Sequence, residues 1–139
     1  RLPLSGTVYI SVHNRHKEKT VAIARAFQEM GFRIVGTRGT AAFLGDHGIP
    51  ITPINKLTEG RPHVLDAIKN GSIQLMINTS VGRKSSYDGY NIRRGALIYN
   101  IPYTTTLAGA KALSEAIAAL KSRDWEVTPL QDYYRQQAR

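Results

Sequence analysis

Phe32-Arg33-Ile34-Val35-Gly36-Thr37-Arg38-Gly39-Thr40-Ala41-Ala42-Phe43-Leu44 is the stretch that decides how this chain folds. The apolar run from Phe32 to Val35 has the character of a strand. It passes without a linker into a short helical pattern over Thr40–Asp46, and the hinge between the two is Thr37-Arg38-Gly39-Thr40. Such a hinge offers hydroxyls, a flexible Gly and unpaired N–H groups at the positive end of a helix dipole. That is a setting in which phosphate or carboxylate binds well. The stretch therefore predicts an α/β unit and, at its turn, a small-anion site.

The same alternation extends in both directions. Thr7–Val12 is an apolar, β-branched run that predicts the first strand. Lys17–Met30 carries Val21, Ala24, Phe27 and Met30 at a spacing of three, which predicts one buried helical face closed by Gly31. Beyond the hinge, Ile49-Pro50-Ile51 predicts an edge strand, since Pro donates nothing to a ladder. A turn-rich loop at Asn55–Pro62 leads to a helix over His63–Lys69, a strand at Ile73–Asn78 and a helix over Ser86–Tyr99. A strand at Ile101–Tyr103, an alanine-rich helix over Leu107–Leu120, a last strand near Trp125-Glu126-Val127 and a terminal helix complete the pattern. Strands alternating with helices imply a parallel sheet covered on both faces. Residues 1–139 are expected to form one domain, with 1–5 the remnant of a linker and 129–139 a C-terminal tail helix. The absence of an initial Met suggests a piece of something longer.

In open α/β sheets ligands sit beyond the carboxyl ends of the strands. The polar segments that follow strands here are Ser11–Lys17, Thr37–Thr40, Asn55-Lys56, Asn78–Gly82 and Tyr103–Thr106, and they are expected to share one rim. Its hydroxyls (Ser11, Thr37, Thr40, Thr79, Ser80), amides (Asn55, Asn78) and cations (Lys17, Lys56, Arg83, Lys84) suit an anionic ligand. Lys17 at a helix start opposes the helix dipole, which favours an anion beside it. No carboxylate stands on this rim as an obvious base. Glu59 falls in a Pro/Gly-flanked turn, Asp66 on an expected solvated helix face, and His63 at a helix start as a cap or partner contact.

Composition narrows the classes further. The chain has 139 residues, 42% of them hydrophobic, and no run approaching the ~20 residues of a membrane span. It contains no cysteine, and His13, His16, His47 and His63 show no ligand spacing, so neither disulfides nor a metal site is expected. The net charge is +9, from 19 basic and 10 acidic residues. That excess is spread along the chain, concentrating locally at Arg15–Lys19, Arg83-Lys84 and Arg93-Arg94, with neither a nucleic-acid motif nor interleaved aromatics. Arg93-Arg94 reads as a solvated helix face or an interdomain salt-bridge site, and Tyr87, Tyr90 and Tyr99 as packing residues with a wet end.

These pieces together resemble a known family. Thr37-Arg38-Gly39-Thr40 is followed by Ile54-Asn55-Lys56, Glu59-Gly60-Arg61-Pro62-His63, Ile77-Asn78-Thr79, Ile92-Arg93-Arg94 and Tyr103-Thr104-Thr105. That order and spacing, from about Ser5 to Leu120, resemble the C-terminal allosteric domain of the carbamoyl-phosphate synthase large subunit, within the methylglyoxal-synthase-like superfamily. The resemblance implies a Rossmann-like open parallel sheet of about five strands with no chemistry of its own. It implies a phosphorylated nucleotide effector such as UMP or IMP, held by Lys17, Thr37, Gly39, Thr40 and Lys56 with Asn78, Thr79 and Ser80 nearby. Tyr103, Thr105, Arg93 and Arg94 would form a second effector or interdomain region. Thr104 stands where ornithine-activated members carry Asp, which removes a carboxylate partner for an amine.

The implied setting is an ATP-dependent ligase whose catalytic domains use ATP, Mg and K ions. Its implied partners are the remainder of the large subunit and a small glutamine amidotransferase subunit, and self-association is compatible with it. Neither nucleic acid nor membrane is an expected partner. The implied location is cytoplasmic, or plastid in a photosynthetic eukaryote. The competing enzyme reading is methylglyoxal synthase, whose Gly-Gly-Asp-Gln-Gln segment supplies a carboxylate. The corresponding stretch here, Glu59–His63, has neither Asp nor Gln. A basic nucleic-acid-binding domain is the other alternative.

Overall fold

The computed structural model describes residues 2–13, 16–79 and 86–138, with 86–88 and 124–138 as backbone only. Its centre is a parallel sheet of β1 (Thr7–Ser11), β2 (Arg33–Gly36), β3 (Thr52–Pro53), β4 (Leu75–Asn78) and β5 (Tyr103–Thr104). The strand order is β3-β2-β1-β4-β5. β1 is central and pairs on one side with β2, Ile10 against Gly36, and on the other with β4, Ser11 against Asn78. The chain runs outward from β1 to β3, then returns to the opposite side of β1 for β4. The crevice where the order reverses lies at the carboxyl ends of β1 and β4.

Alternation along each strand splits the core in two. Val8 and Ile10 of β1, Ile34 of β2, and Leu75 and Ile77 of β4 face one side. There they meet Ile23, Ala24 and Phe27 of α1 (Lys17–Glu29), Leu44 of α2 (Arg38–Asp46), and Ala110 and Ile117 of α5 (Leu107–Ala138). Tyr9 and Met76 face the other side, against Val64 and Ile68 of α3 (Val64–Lys69) and Ile92 and Ala96 of α4 (Ser86–Ile98). Strands buried on both faces explain the near-continuous apolar runs in the sequence. Burial holds the Tyr9 phenol neutral, pushing its pKa up to about 12.

Gly36 is fixed by close approach. A methyl group on its Cα would overlap the carbonyl oxygen of Ile10 on the adjoining strand. The end of β2 can therefore lie against β1 only as glycine, and the turn that follows is drawn to the crevice.

Several sequence expectations shift. The buried face of α1 is Thr20, Ile23, Ala24 and Phe27, while Val21 and Met30 pack at its margin. Ala24 and Phe27 are buried as expected, and polar Thr20 on the same face concealed its full register. The edge strand begins three residues later than Ile49-Pro50-Ile51. Ile49 is fully buried, with its N–H spent on Leu44 O (3.0 Å), so only Thr52–Pro53 reaches β2. The strand expected at 101–103 likewise pairs only over Tyr103–Thr104. Trp125-Glu126-Val127 is helical, within α5. A β-rich tripeptide forms a strand only where a neighbouring strand receives it. Tyr90 and Tyr99 are exposed and do not pack in the core; the Tyr87 side chain lies outside the described residues.

Candidate functional site

The hinge after β2 is built around Thr40. Thr37 is the N-cap residue of α2, yet its hydroxyl does not cap the helix. It donates instead to Thr40 Oγ1 at 3.0 Å, and the N–H of Val12, just past β1, donates to the same oxygen at 3.4 Å. Thr40 is 1% exposed and Thr37 6%. Thr40 Oγ1 is thus where the end of β1 and the start of α2 meet, and each of the two threonine hydroxyls can donate as well as accept. The first turn of α2 contains no acidic residue. The helix therefore supplies no carboxylate of its own to its dipole there.

Lys17 supplies the charge. It opens α1, where its ammonium gains nothing from that helix's dipole. Its side chain reaches across to α2, and Nζ lies 3.2 Å from where a Cβ on Gly39 would stand. A side chain at position 39 would crowd the ammonium away from the helix end. Two hydroxyls, the first N–H groups of α2 and one ammonium thus surround the exposed backbone of Gly39.

The far wall comes from β4. Asn78 and Thr79 are buried. Thr79 N donates to Ser11 O (2.9 Å), and Thr79 Oγ1 accepts from His13 N (3.2 Å), which locks the end of β4 to the end of β1. Asn78 Nδ2 donates to Tyr103 Oη at 3.0 Å. The Arg93 guanidinium lies 5.8 Å from the centre of the Tyr103 ring, within cation–π range. Burial raises the Tyr103 pKa, against the opposing effects of Asn78 and Arg93. Asn78, Tyr103 and Arg93 are therefore one contact chain from the rim to α4. Arg93 and Arg94 are both exposed, and Thr105 is half-buried. Ser80, with Gly82, Arg83 and Lys84, lies outside the described residues, as does Arg15.

The loop from Asn55 to His63 closes the remaining side. Asn55 is not a free rim amide. Its Oδ1 accepts from Arg38 Nη2 (2.7 Å), and its Nδ2 donates to Gly60 O and Pro62 O (3.3 and 3.2 Å). Glu59 accepts from Lys56 N (2.7 Å) and faces Arg38 Nε (3.8 Å). Both residues hold the loop to α2, leaving exposed Lys56 as the loop's cation at the rim. Apart from the turn-forming character of Asn55, no local pattern announces this clamp.

Asp66 is not on a solvated face. It accepts from His63 N (2.8 Å) in the first turn of α3 and pairs with Arg61 Nη2 (2.6 Å). His63 is the N-cap residue there, and the His-x-x-Asp spacing is a capping signal that could have been read in advance. The Arg61 hydrogen bond, and then that from His63 N, hold the Asp66 carboxyl down to about 2, below its ordinary 3.8. A depressed carboxylate stabilises the fold above its unfolded pKa and loses that contribution as pH falls through its folded value. Stability should accordingly decline as pH drops from about 4 to about 2, and Asp66→Asn should flatten that part of the curve in denaturant titrations. An unchanged slope in the variant would remove the assignment.

Among the described residues, no group of three or more His, Asp or Glu side chains could hold a metal ion, and no helix is long and apolar enough to cross a membrane. Two open grooves, of about 430 and 450 Å³, lie at the amino ends of the strands, away from this rim.

The model of the MGS-like domain family matches residues 19–105, which span the hinge, the loop clamp and β4. The chain belongs to the MGS-like domain family. This MGS-like domain is 49% identical over 133 residues to the carbamoyl phosphate synthase large chain of Rhizobium meliloti, covering 96% of this chain and 11% of that one. It is 47% identical over 137 residues to the Archaeoglobus fulgidus large chain, covering 98% and 13%. It is 46% identical over 136 residues to the chloroplastic arginine-specific large chain of Oryza sativa, covering 97% and 12%. The MGS-like domain thus spans 11–13% of the length of these relatives. A methylglyoxal synthase from Elizabethkingia anophelis has the same fold, with a TM-score of 0.65 at 16% identity over 81% of this chain and 79% of that one.

Proposed function

We propose that this domain is the regulatory module of a carbamoyl phosphate synthase large chain and binds a nucleoside monophosphate such as UMP or IMP. The observation that carries the reading is Lys17 Nζ over Gly39, at an α2 N-terminus furnished with Thr37 and Thr40 and with no acidic residue in its first turn. The phosphate docks on the two hydroxyls and the first N–H groups of α2, with Lys17 and Lys56 balancing its charge. Base and ribose lie toward Asn78 and Thr79. Ligand binding alters the rate of carbamoyl phosphate synthesis only through unequal affinity for two states of the enzyme.

The rest of the setting is what the family resemblance implies. The catalytic parts would use ATP with Mg and K ions, a small glutamine amidotransferase subunit would supply nitrogen, and the location would be cytoplasmic or plastid. Against proton abstraction as in methylglyoxal synthase stands the engagement of the two candidate carboxylates, Glu59 and Asp66, in structural bonds.

Calorimetric titration with UMP, IMP and inorganic phosphate tests the site. Lys17→Met should weaken UMP or IMP binding about 10- to 100-fold, the worth of a charge-assisted contact. Equal binding by the variant, or no binding of any phosphate compound by the wild type, would refute the site. Methylglyoxal formed from dihydroxyacetone phosphate would favour the lyase.

A further inference from the structure

Every large hydrophobic side chain that is exposed among the described residues lies on α4 or directly after it. Tyr90 is 62% exposed, Leu97 76%, Ile98 59% and Tyr99 47%. Tyr90, Arg94 and Leu97 follow an i, i+4, i+7 spacing and so share the outer face of the helix, opposite the buried Ile92 and Ala96. Exposed hydrophobic side chains gathered on one face, with Arg94 among them, mark an interaction surface. Tyr99 extends it into the groove of about 430 Å³ at the amino end of β4, whose wall also includes Leu2, Pro3 and Pro102.

We infer that the outer face of α4, with this groove, seats an adjoining part of the same long polypeptide. Two observations choose that occupant. Leu2 and Pro3 line the groove, so any chain joined ahead of them leaves the domain beside this face. The curated relatives continue for some eight times the length of this chain, which spans 11–13% of them. Tethering gives such a neighbour a high effective concentration. A second copy fits less well. Exposed Arg93 and Arg94 on each helix would meet across a two-fold contact, within a domain of net charge +9. The fitting surface is apolar with an acidic margin.

The same helix carries Arg93, which lies over the Tyr103 ring, and Tyr103 Oη accepts from Asn78 at the rim. The docked face and the ligand rim therefore share one contact chain, a coupling that rests on the effector reading.

The test uses the full-length chain with Leu97→Cys coupled to a photoactivatable benzophenone, and Lys111→Cys on the exposed side of α5 as control. Irradiation should link position 97, and not position 111, to peptides preceding the domain in the same molecule. Links between two copies, or a pattern equal to the control, would overturn the docking assignment. In the same full-length protein, Leu97→Asp with Ile98→Asp should abolish the effect of UMP or IMP on carbamoyl phosphate formation while leaving their affinity within about twofold. A retained response would overturn the coupling. If the unmodified protein binds no phosphate compound, the effector reading and the coupling both fail, and the cross-link alone decides the docking face.

Discussion

Thr40→Ala should cost both ligand and fold. The substitution removes the oxygen on which Val12 N–H and Thr37 O–H converge, at a position 1% exposed. A buried N–H left without a partner costs about 1–3 kcal/mol, which denaturant unfolding would read directly. The same hydroxyl belongs to the proposed phosphate clamp, so affinity for UMP or IMP should fall about tenfold or more. Thr40→Ser separates the two effects from simple loss of bulk, because it keeps the oxygen and sheds a methyl. It should retain most of the binding. If Thr40→Ala bound as tightly as wild type, the clamp would have to be sought elsewhere on the rim.

Gly36→Ala should be among the most damaging small substitutions in the chain. The added methyl has nowhere to go, because the obstacle is the backbone oxygen of Ile10 in the central strand rather than a side chain able to swing aside. Overpacking of this kind costs about 1–3 kcal/mol, and more where backbone must move. It would also pull β2 from β1 at the point where the hinge begins, so binding should weaken with stability. Gly45→Ala gives the contrast. Gly45 is inside α2 with open space where its Cβ would be, and the change should stabilise by up to about 1 kcal/mol. Similar unfolding midpoints for the two variants would contradict the close approach at Gly36.

Periodicity made the architecture legible. Runs such as Val8-Tyr9-Ile10 and Leu75-Met76-Ile77 are apolar on both faces, which requires helices on both sides of a parallel sheet. It failed where a residue's neighbours, not its type, decide its state. Thr20 is buried on α1 because its hydroxyl returns to His16 O (2.8 Å), a bond that no hydropathy pattern announces. Trp125-Glu126-Val127 has strand composition and no strand to join. For the rim, the hinge motif located Thr37, Gly39 and Thr40, and the dipole argument singled out Lys17. Roles set by long-range bonds were out of reach: Asn55 as a clamp on Arg38, and Asn78 tied to Tyr103, join residues whose proximity only the folded sheet creates.

The placement of β1 at the centre of the sheet has a kinetic consequence. Its pairing with β2 closes a short stretch of chain, whereas Val8 against Leu75 brings together segments separated by half the domain. Loop-closure entropy makes the second pairing the slow one. The rim needs it, because His13 meets Thr79 only once β4 has docked. The proposed effector would therefore have no complete binding surface on a partly folded chain. It should leave the refolding rate almost untouched and act by slowing unfolding, so that the bound domain outlives the free one without forming any faster.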